Sequence, residues 1–116
     1  MTSPVLDLPS HADILDAASR LAGQAVRTPL LRNDVLDQQL GARVFVKAEC
    51  LQRTGSFKVR GAYIRISRLI AEDRQRGILA YSSGNHAEGV AAAARLVGTD
   101  AIILMPGDAP PRRRPG

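Results

Sequence analysis

Apolar residues recur at helical spacing in three stretches of this chain. In the longest, residues 85–97, Ala87, Val90, Ala91, Ala94 and Val97 form one stripe, with Glu88 and Arg95 off it. A stripe of that width is the face a helix buries. Short apolar runs flank it, Ile78–Tyr81 before and Ala101–Met105 after. Strand, polar turn, helix and strand in that order predict a right-handed βαβ crossover between parallel strands. In the second stretch Val59, Ala62, Tyr63, Ile66, Leu69 and Ile70 share a face, while Arg60, Arg68 and Glu72 take the others. Ser56 stands where the N-cap of that helix belongs. The third runs from Ser10 to Leu21, with Ile14, Leu15, Ala18 and Leu21 on its apolar side and Ser10 and Asp13 in capping-box spacing. Arg27–Leu30 reads as a turn into extended chain, and Val44–Glu49 alternates as a half-buried strand. The pattern is α/β, preceded by a lead, Met1–Pro9, that is expected to be disordered.

Two polar turns in this pattern carry candidate chemistry. The segment TGSFKVRGA, Thr54–Ala62, sets Lys58, one of two lysines, at the threshold of the second helix. A lysine amine is a nucleophile only when neutral, and the positive end of a helix dipole disfavours a further positive charge. Lys58 is therefore a candidate for condensation with a carbonyl compound, although an isolated GSFK string fits a solvated first-turn lysine as well. Lys47 lies on the alternating strand and reads as structural or exposed. The other turn, Ser82, Ser83, Gly84, Asn85 and His86, sits beyond the carboxyl end of a predicted strand and opens a helix, where ligands of α/β units bind. Glycine permits close backbone approach, the serines add hydroxyls, and Asn85 offers donor and acceptor, which suits a carboxylate or a phosphate. The rival reading is a capping turn in which Ser83 and Asn85 satisfy helix amides.

Taken together the motifs resemble a known family. RTPLL at Arg27–Leu31, VKAECLQRTGSFKVRGA at Val46–Ala62, SSGNHAEGVA at Ser82–Ala91 and ILMPGDAP at residues 103–110 occur in the order found in the fold-type II pyridoxal-phosphate enzymes, in their threonine dehydratase and serine racemase branch. Val59, after the lysine, fits the dehydratases, since threonine and cysteine synthases resemble one another in having aspartate there. Cys50 and Glu88 depart from the commoner asparagine or leucine and glutamine. The resemblance implies the N-terminal portion of a tryptophan synthase β-like fold, with an incomplete parallel sheet. It implies that Lys58 carries pyridoxal 5'-phosphate and acts as the catalytic base, that Phe57 packs beside the cofactor ring, and that Asn85 contacts its phenolic oxygen. Ser82, Ser83, Gly84, Asn85 and His86 would receive the substrate carboxylate, with Ser83 a second proton-transfer group. Glu49 and Gln52 would shape the turn before the lysine. The implied reaction is β-elimination from L-threonine or L-serine to a 2-oxo acid and ammonia, in a parent enzyme that is a homo-oligomer.

Length and charge qualify this picture. At 116 residues the chain has room for one small domain, whereas the family it resembles is more than twice as long. Residues 1–76 are expected to belong to a discontinuous cofactor-binding domain and residues 77–110 to open a smaller one. No glycine-rich phosphate loop follows Gly98. The family resemblance stops at Pro111, and PRRRPG reads as an out-of-frame tail, so a non-catalytic gene fragment is the alternative and the chain alone is expected to be inactive. Up to residue 110 there are 13 basic against 11 acidic residues, and Arg112, Arg113 and Arg114 account for the remainder of the net +5. A basic nucleic-acid module is the other alternative, but 3% aromatic residues and no tryptophan offer no stacking platform, so no nucleic-acid partner is expected. A single cysteine, Cys50, provides no disulfide. His11 lacks partners at metal-ligand spacing. With no signal-peptide pattern and no apolar run of membrane-spanning length, the expected location is cytoplasmic, with no membrane partner.

Overall fold

The structure, a computed structural model, describes residues 8–109. The expected tail from Pro111 lies outside the described residues, as does the expected lead apart from Leu8 and Pro9. The elements in chain order are α1 (His11–Leu21), β1 (Leu30–Arg32), α2 (Asp34–Leu40), β2 (Phe45–Lys47), α3 (Lys58–Ser67), α4 (Ala71–Arg76), β3 (Ile78–Tyr81), α5 (Asn85–Val97) and β4 (Ala101–Leu104). Two 3₁₀ turns, Glu49–Leu51 and Arg53–Gly55, lead into α3.

The expected βαβ unit is present. β3 and β4 pair in parallel from Ile78 opposite Ala101 to Tyr81 opposite Leu104, with α5 between them in sequence. Gly98 ends α5 in the left-handed conformation, where its N–H and that of Thr99 bond to the Ala94 carbonyl at 2.9 and 3.0 Å. On β3 and β4 the inward positions are Ile78, Ala80, Ala101 and Ile103, which pack against the core, while Leu79, Tyr81, Ile102 and Leu104 are exposed. Period-two alternation thus gives this sheet one covered face.

The core lies between α3 and α5. Val59, Ala62 and Ile66 of α3 are buried, as are Ala87, Gly89, Val90, Ala93 and Ala94 of α5. Ala62, Ile66, Val90 and Ala93 form one apolar cluster, edged by Tyr63, Leu69 and Val97. Small residues on α5 let the two backbones approach closely, and burial of each valine or isoleucine contributes about 1.5–3 kcal/mol. The expected domain division after residue 76 falls between α4 and β3; α3 and α5, one on each side of it, share this cluster.

The structure corrects four expectations from the pattern. Ser56 does not cap α3: the cap position is Phe57, in helical conformation and without a side-chain bond, and the Ser56 hydroxyl is buried with no partner. Helix α3 stops at Ser67, so Ile70 is the N-cap of α4 and is 63% exposed. The strand expected at Val44–Glu49 contracts to Phe45–Lys47, pairs antiparallel with β1, and is exposed at all three positions because nothing among the described residues covers either face. In α1 the Ser10–Asp13 capping box forms, yet Ile14, Leu15 and Ala18 stay exposed. That helix is held at α3 by the Arg68 bond to Asp16, 2.7 Å, more than by burial.

Candidate functional site

The turn before Lys58 is built by long-range polar contacts. Gln52 is buried, and its side chain completes the peptide of Val26 in both directions: Oε1 accepts from the Val26 N–H at 2.9 Å and Nε2 donates to the Val26 carbonyl at 2.8 Å. The same Oε1 accepts from the Arg53 N–H. Glu49 accepts two bonds from Arg60, at 2.8 Å each, and one from the Thr28 hydroxyl at 2.5 Å. The Arg60 guanidinium, reinforced by Thr28 and Gln52, holds the Glu49 carboxyl at about 2, well below the usual carboxylate range. Glu49 in turn raises the pKa of Arg60. A bidentate, half-buried pair of this kind fixes the first turn of α3 to the turn before it.

Thr54 and Gly55 then pass through left-handed backbone, with φ of 63° and 66°. For a β-branched residue that conformation is strained by about 1–3 kcal/mol. The Thr54 hydroxyl is buried without a partner, like that of Ser56. Strain and two unsatisfied hydroxyls therefore gather on the four residues before the lysine.

Lys58 opens α3 and is exposed, its Nζ 5.1 Å from the centre of the Phe57 ring, which is itself 58% exposed. Among the described residues its ammonium meets no carboxylate and donates no hydrogen bond. Lys47, by contrast, donates to the Thr28 carbonyl at 2.5 Å, the structural role its strand position suggested. The backbone of Lys58 lies against Gly89 of α5: a Cβ built on Gly89 would come 2.9 Å from the Lys58 carbonyl carbon. Asn85 and His86 are one helical turn before Gly89, on the same side of α5. The helix contact thus brings the two sequence-distant turns to one place.

In the second turn, Gly84 holds the N-cap position of α5 without a side-chain bond, so neither Ser83 nor Asn85 acts as the cap. Ser82 spends its groups on the turn, its N–H bonding to the Leu104 carbonyl and its hydroxyl accepting from the Gly84 N–H at 3.1 Å. Ser83 is half-buried and its hydroxyl makes no hydrogen bond among the described residues; Asn85 and His86 are exposed. The first turn of any helix carries N–H groups without intrahelical partners, which an anion can satisfy. His86 also lines an open groove of about 480 Å³ between α3 and β3.

The family described as pyridoxal-phosphate dependent enzyme matches residues 21–115. The chain belongs to the pyridoxal-phosphate dependent enzymes. Its match to this family runs into the arginine-rich end beyond Pro111. L-threo-3-hydroxyaspartate ammonia-lyase of Pseudomonas sp is 52% identical over 105 residues, which cover 90% of this chain and 33% of that protein. L-threonine ammonia-lyase of Thermotoga maritima is 48% identical, covering 84% of this chain and 24% of its own length. Among solved structures, maize serine racemase superimposes with a TM-score of 0.79 at 41% identity, over 83% of this chain and 30% of that one. The chain therefore spans about a third or less of these relatives, matching their N-terminal part, and has the α/β fold of fold-type II pyridoxal-phosphate enzymes.

The residues present fit a pyridoxal-phosphate group attached at Lys58. Its ammonium is exposed and uncommitted, an aromatic ring stands beside it, and the turn beneath it is rigidified and carries unsatisfied hydroxyls. Four contributors, Arg60, Thr28, Val26 and Gly89, leave little signal along the chain. Arg60 reads along the sequence as one residue of a polar face, because nothing local ties it to Glu49 eleven positions earlier. Thr28 and Val26 lie farther off still. Gly89 left one usable signal, a glycine in the middle of an alanine-rich helix.

Proposed function

We propose that the chain supplies the lysine turn and the substrate loop of a pyridoxal-phosphate ammonia-lyase acting on a β-hydroxy-α-amino acid. The reading rests on one observation above all: α3 and α5 meet where Lys58 touches Gly89, setting the lysine one turn from Asn85 and His86. Lys58 would hold the cofactor and, as the neutral amine, move the α-proton of the substrate; its side chain, exposed and tied up in no ion pair or hydrogen bond among the described residues, supports that reading. With the cofactor bound, Phe57 would pack beside its ring and Asn85 would bond to its phenolic oxygen. Ser82, Ser83, Gly84, Asn85 and His86 receive the substrate carboxylate, with the first-turn amides of α5 as further donors. Ser83 would serve as a second proton-transfer group, a reading supported by a hydroxyl that makes no hydrogen bond among the described residues. The bound cofactor supplies the electron sink that no side chain offers. Loss of the β-hydroxyl as water and hydrolysis of the resulting enamine give a 2-oxo acid and ammonia, so that the water lost is regained.

Threonine, serine and threo-3-hydroxyaspartate share the required β-hydroxyl, and the names of the relatives support all three as substrates to compare. The test is absorbance of the purified chain with added pyridoxal phosphate, for the natural sequence and for Lys58→Ala, followed by each amino acid with detection of its 2-oxo acid. The expected result is a near-visible band lost in the variant and altered by the true substrate. A band that survives Lys58→Ala unchanged sinks the assignment of the lysine.

A further inference from the structure

Among the described residues two glycines lie inside α-helices, and they differ in what surrounds them. Gly61, in α3, has nothing within 4 Å of where a Cβ would stand. Gly89, fifth residue of α5, would place a Cβ 2.9 Å from the Lys58 carbonyl carbon, 3.0 Å from the Val59 nitrogen and 3.1 Å from the Lys58 Cβ. Neither has the positive φ that calls for glycine on conformational grounds. Glycine weakens a helix interior relative to alanine, so Gly89 is explained by the space it leaves. That space is filled by the main chain and Cβ of Lys58 and the peptide that follows it, atoms that cannot swing aside as a flexible side-chain end can.

We infer that Gly89 is a positioning residue for Lys58: the missing side chain sets how deeply the lysine's backbone seats against α5, and so where its ammonium stands relative to the turn at Ser83–His86. Any side chain at 89 pushes the two backbones apart by several tenths of an ångström at the root of the lysine. The other contacts of the lysine turn, Glu49 with Arg60 and Gln52 with Val26, are made without α5 and so have no reason to follow the displacement. The lysine is then tilted relative to α5 rather than moved with it. The inference rests on Lys58 being the cofactor lysine.

The test uses the full chain and its two lysines as an internal comparison. Pyridoxal phosphate is added, the adducts are fixed by borohydride, and the ratio of label on Lys58 to label on Lys47 is read by peptide mass mapping, beside far-UV circular dichroism and thermal melting. The natural sequence is expected to label Lys58 in preference, because Lys47 is tied to the Thr28 carbonyl. Gly89→Ala, with its helical signal retained, is expected to lower the ratio by at least about tenfold, the scale on which small misplacements act, while Gly61→Ala leaves it unchanged. A folded Gly89→Ala chain with an unaltered ratio overturns the positioning role and leaves the lysine assignment standing. Equal labelling of both lysines in the natural sequence overturns the lysine assignment, and the positioning role with it. Because Gly89→Ala alone can unfold the chain, the Gly61→Ala, Gly89→Ala double variant is measured against Gly61→Ala, whose helix is stronger. Loss of the fold in both backgrounds makes the contact purely architectural and overturns the positioning role as well.

Discussion

The α3–α5 contact and the β1–β2 ribbon are built from similar apolar residues and have opposite fates. In the first, Val59 is 2% exposed and Ala93 fully buried, and the contact ends at Lys58. In the second, Leu30, Leu31, Phe45 and Val46 are all exposed, and three residues pair with three. Two short strands with no covered face hold little stability of their own, whereas interdigitated helices make a rigid platform. The turn that carries the lysine is fixed twice, by its approach to Gly89 and by the contacts of Glu49, Gln52 and Arg60. Chemistry that needs a side chain held to a fraction of an ångström belongs on such a platform, and the candidate site is there.

The largest expected effect comes from weakening the platform. Ile66→Ala removes a buried side chain from the α3–α5 cluster and is expected to lower unfolding free energy by about 2–5 kcal/mol, measured by urea titration of the helical signal. A loss below about 1 kcal/mol would show that the cluster is not the stabilising centre of the chain.

Next in size is the charged pair under the lysine turn. Glu49 ionises at about 2 in the folded chain against 4.5 ordinarily, so the unfolded chain binds the proton more readily. Its contribution is fully present above about pH 4.5 and is lost as pH falls from there through about 2, up to about 3 kcal/mol in all. Glu49→Gln is expected to flatten that acid step and to cost about 1–3 kcal/mol near neutral pH, since Arg60 is left half-buried without its counter-charge. An acid transition of undiminished size in the variant would assign it to other carboxylates, such as Asp16 and Asp13, whose pKa values are also lowered by their hydrogen-bond partners.

What could be read along the sequence divides along the same line. Helices and strands that follow a period, α1, α3, α5, β3 and β4, were legible to within a few residues, as was the capping box at Ser10, because each depends on neighbours two to four positions away. Resemblance of the motifs around Lys58 and Asn85 identified the family before any contact was known. Burial was less legible: α1 and β2 carry apolar faces, yet whether a face is covered depends on what packs there. Ser56 misled because a serine just before a helix is so often its cap, and here one further residue, Phe57, continues the turn. The clamp of Glu49 on Arg60 and the seat of Lys58 on Gly89 join residues 11 and 31 positions apart, beyond any local rule.

Smaller effects sharpen the comparison in the other direction. Gly61→Ala replaces a helical glycine in open space, with no close neighbour to displace, and is expected to raise stability by about 0.5–1 kcal/mol. A destabilising outcome would place an unseen neighbour on that face of α3, where Gly61 lines the groove with Ile66 and Val90.

Smallest of all is Leu31→Ala on the ribbon. Leu31 pairs with Val46 across the two strands and is half exposed, so truncation removes apolar surface that water already reaches. The expected change is within about 0.5 kcal/mol, against the several expected for the same kind of truncation at Ile66. The two variants belong in one urea series because each gives the other its meaning. A large loss at Leu31 would mean that the ribbon is covered in solution, and its dependence on protein concentration would tell a second copy from a contact within one chain: association makes apparent stability rise with concentration, whereas an internal contact does not.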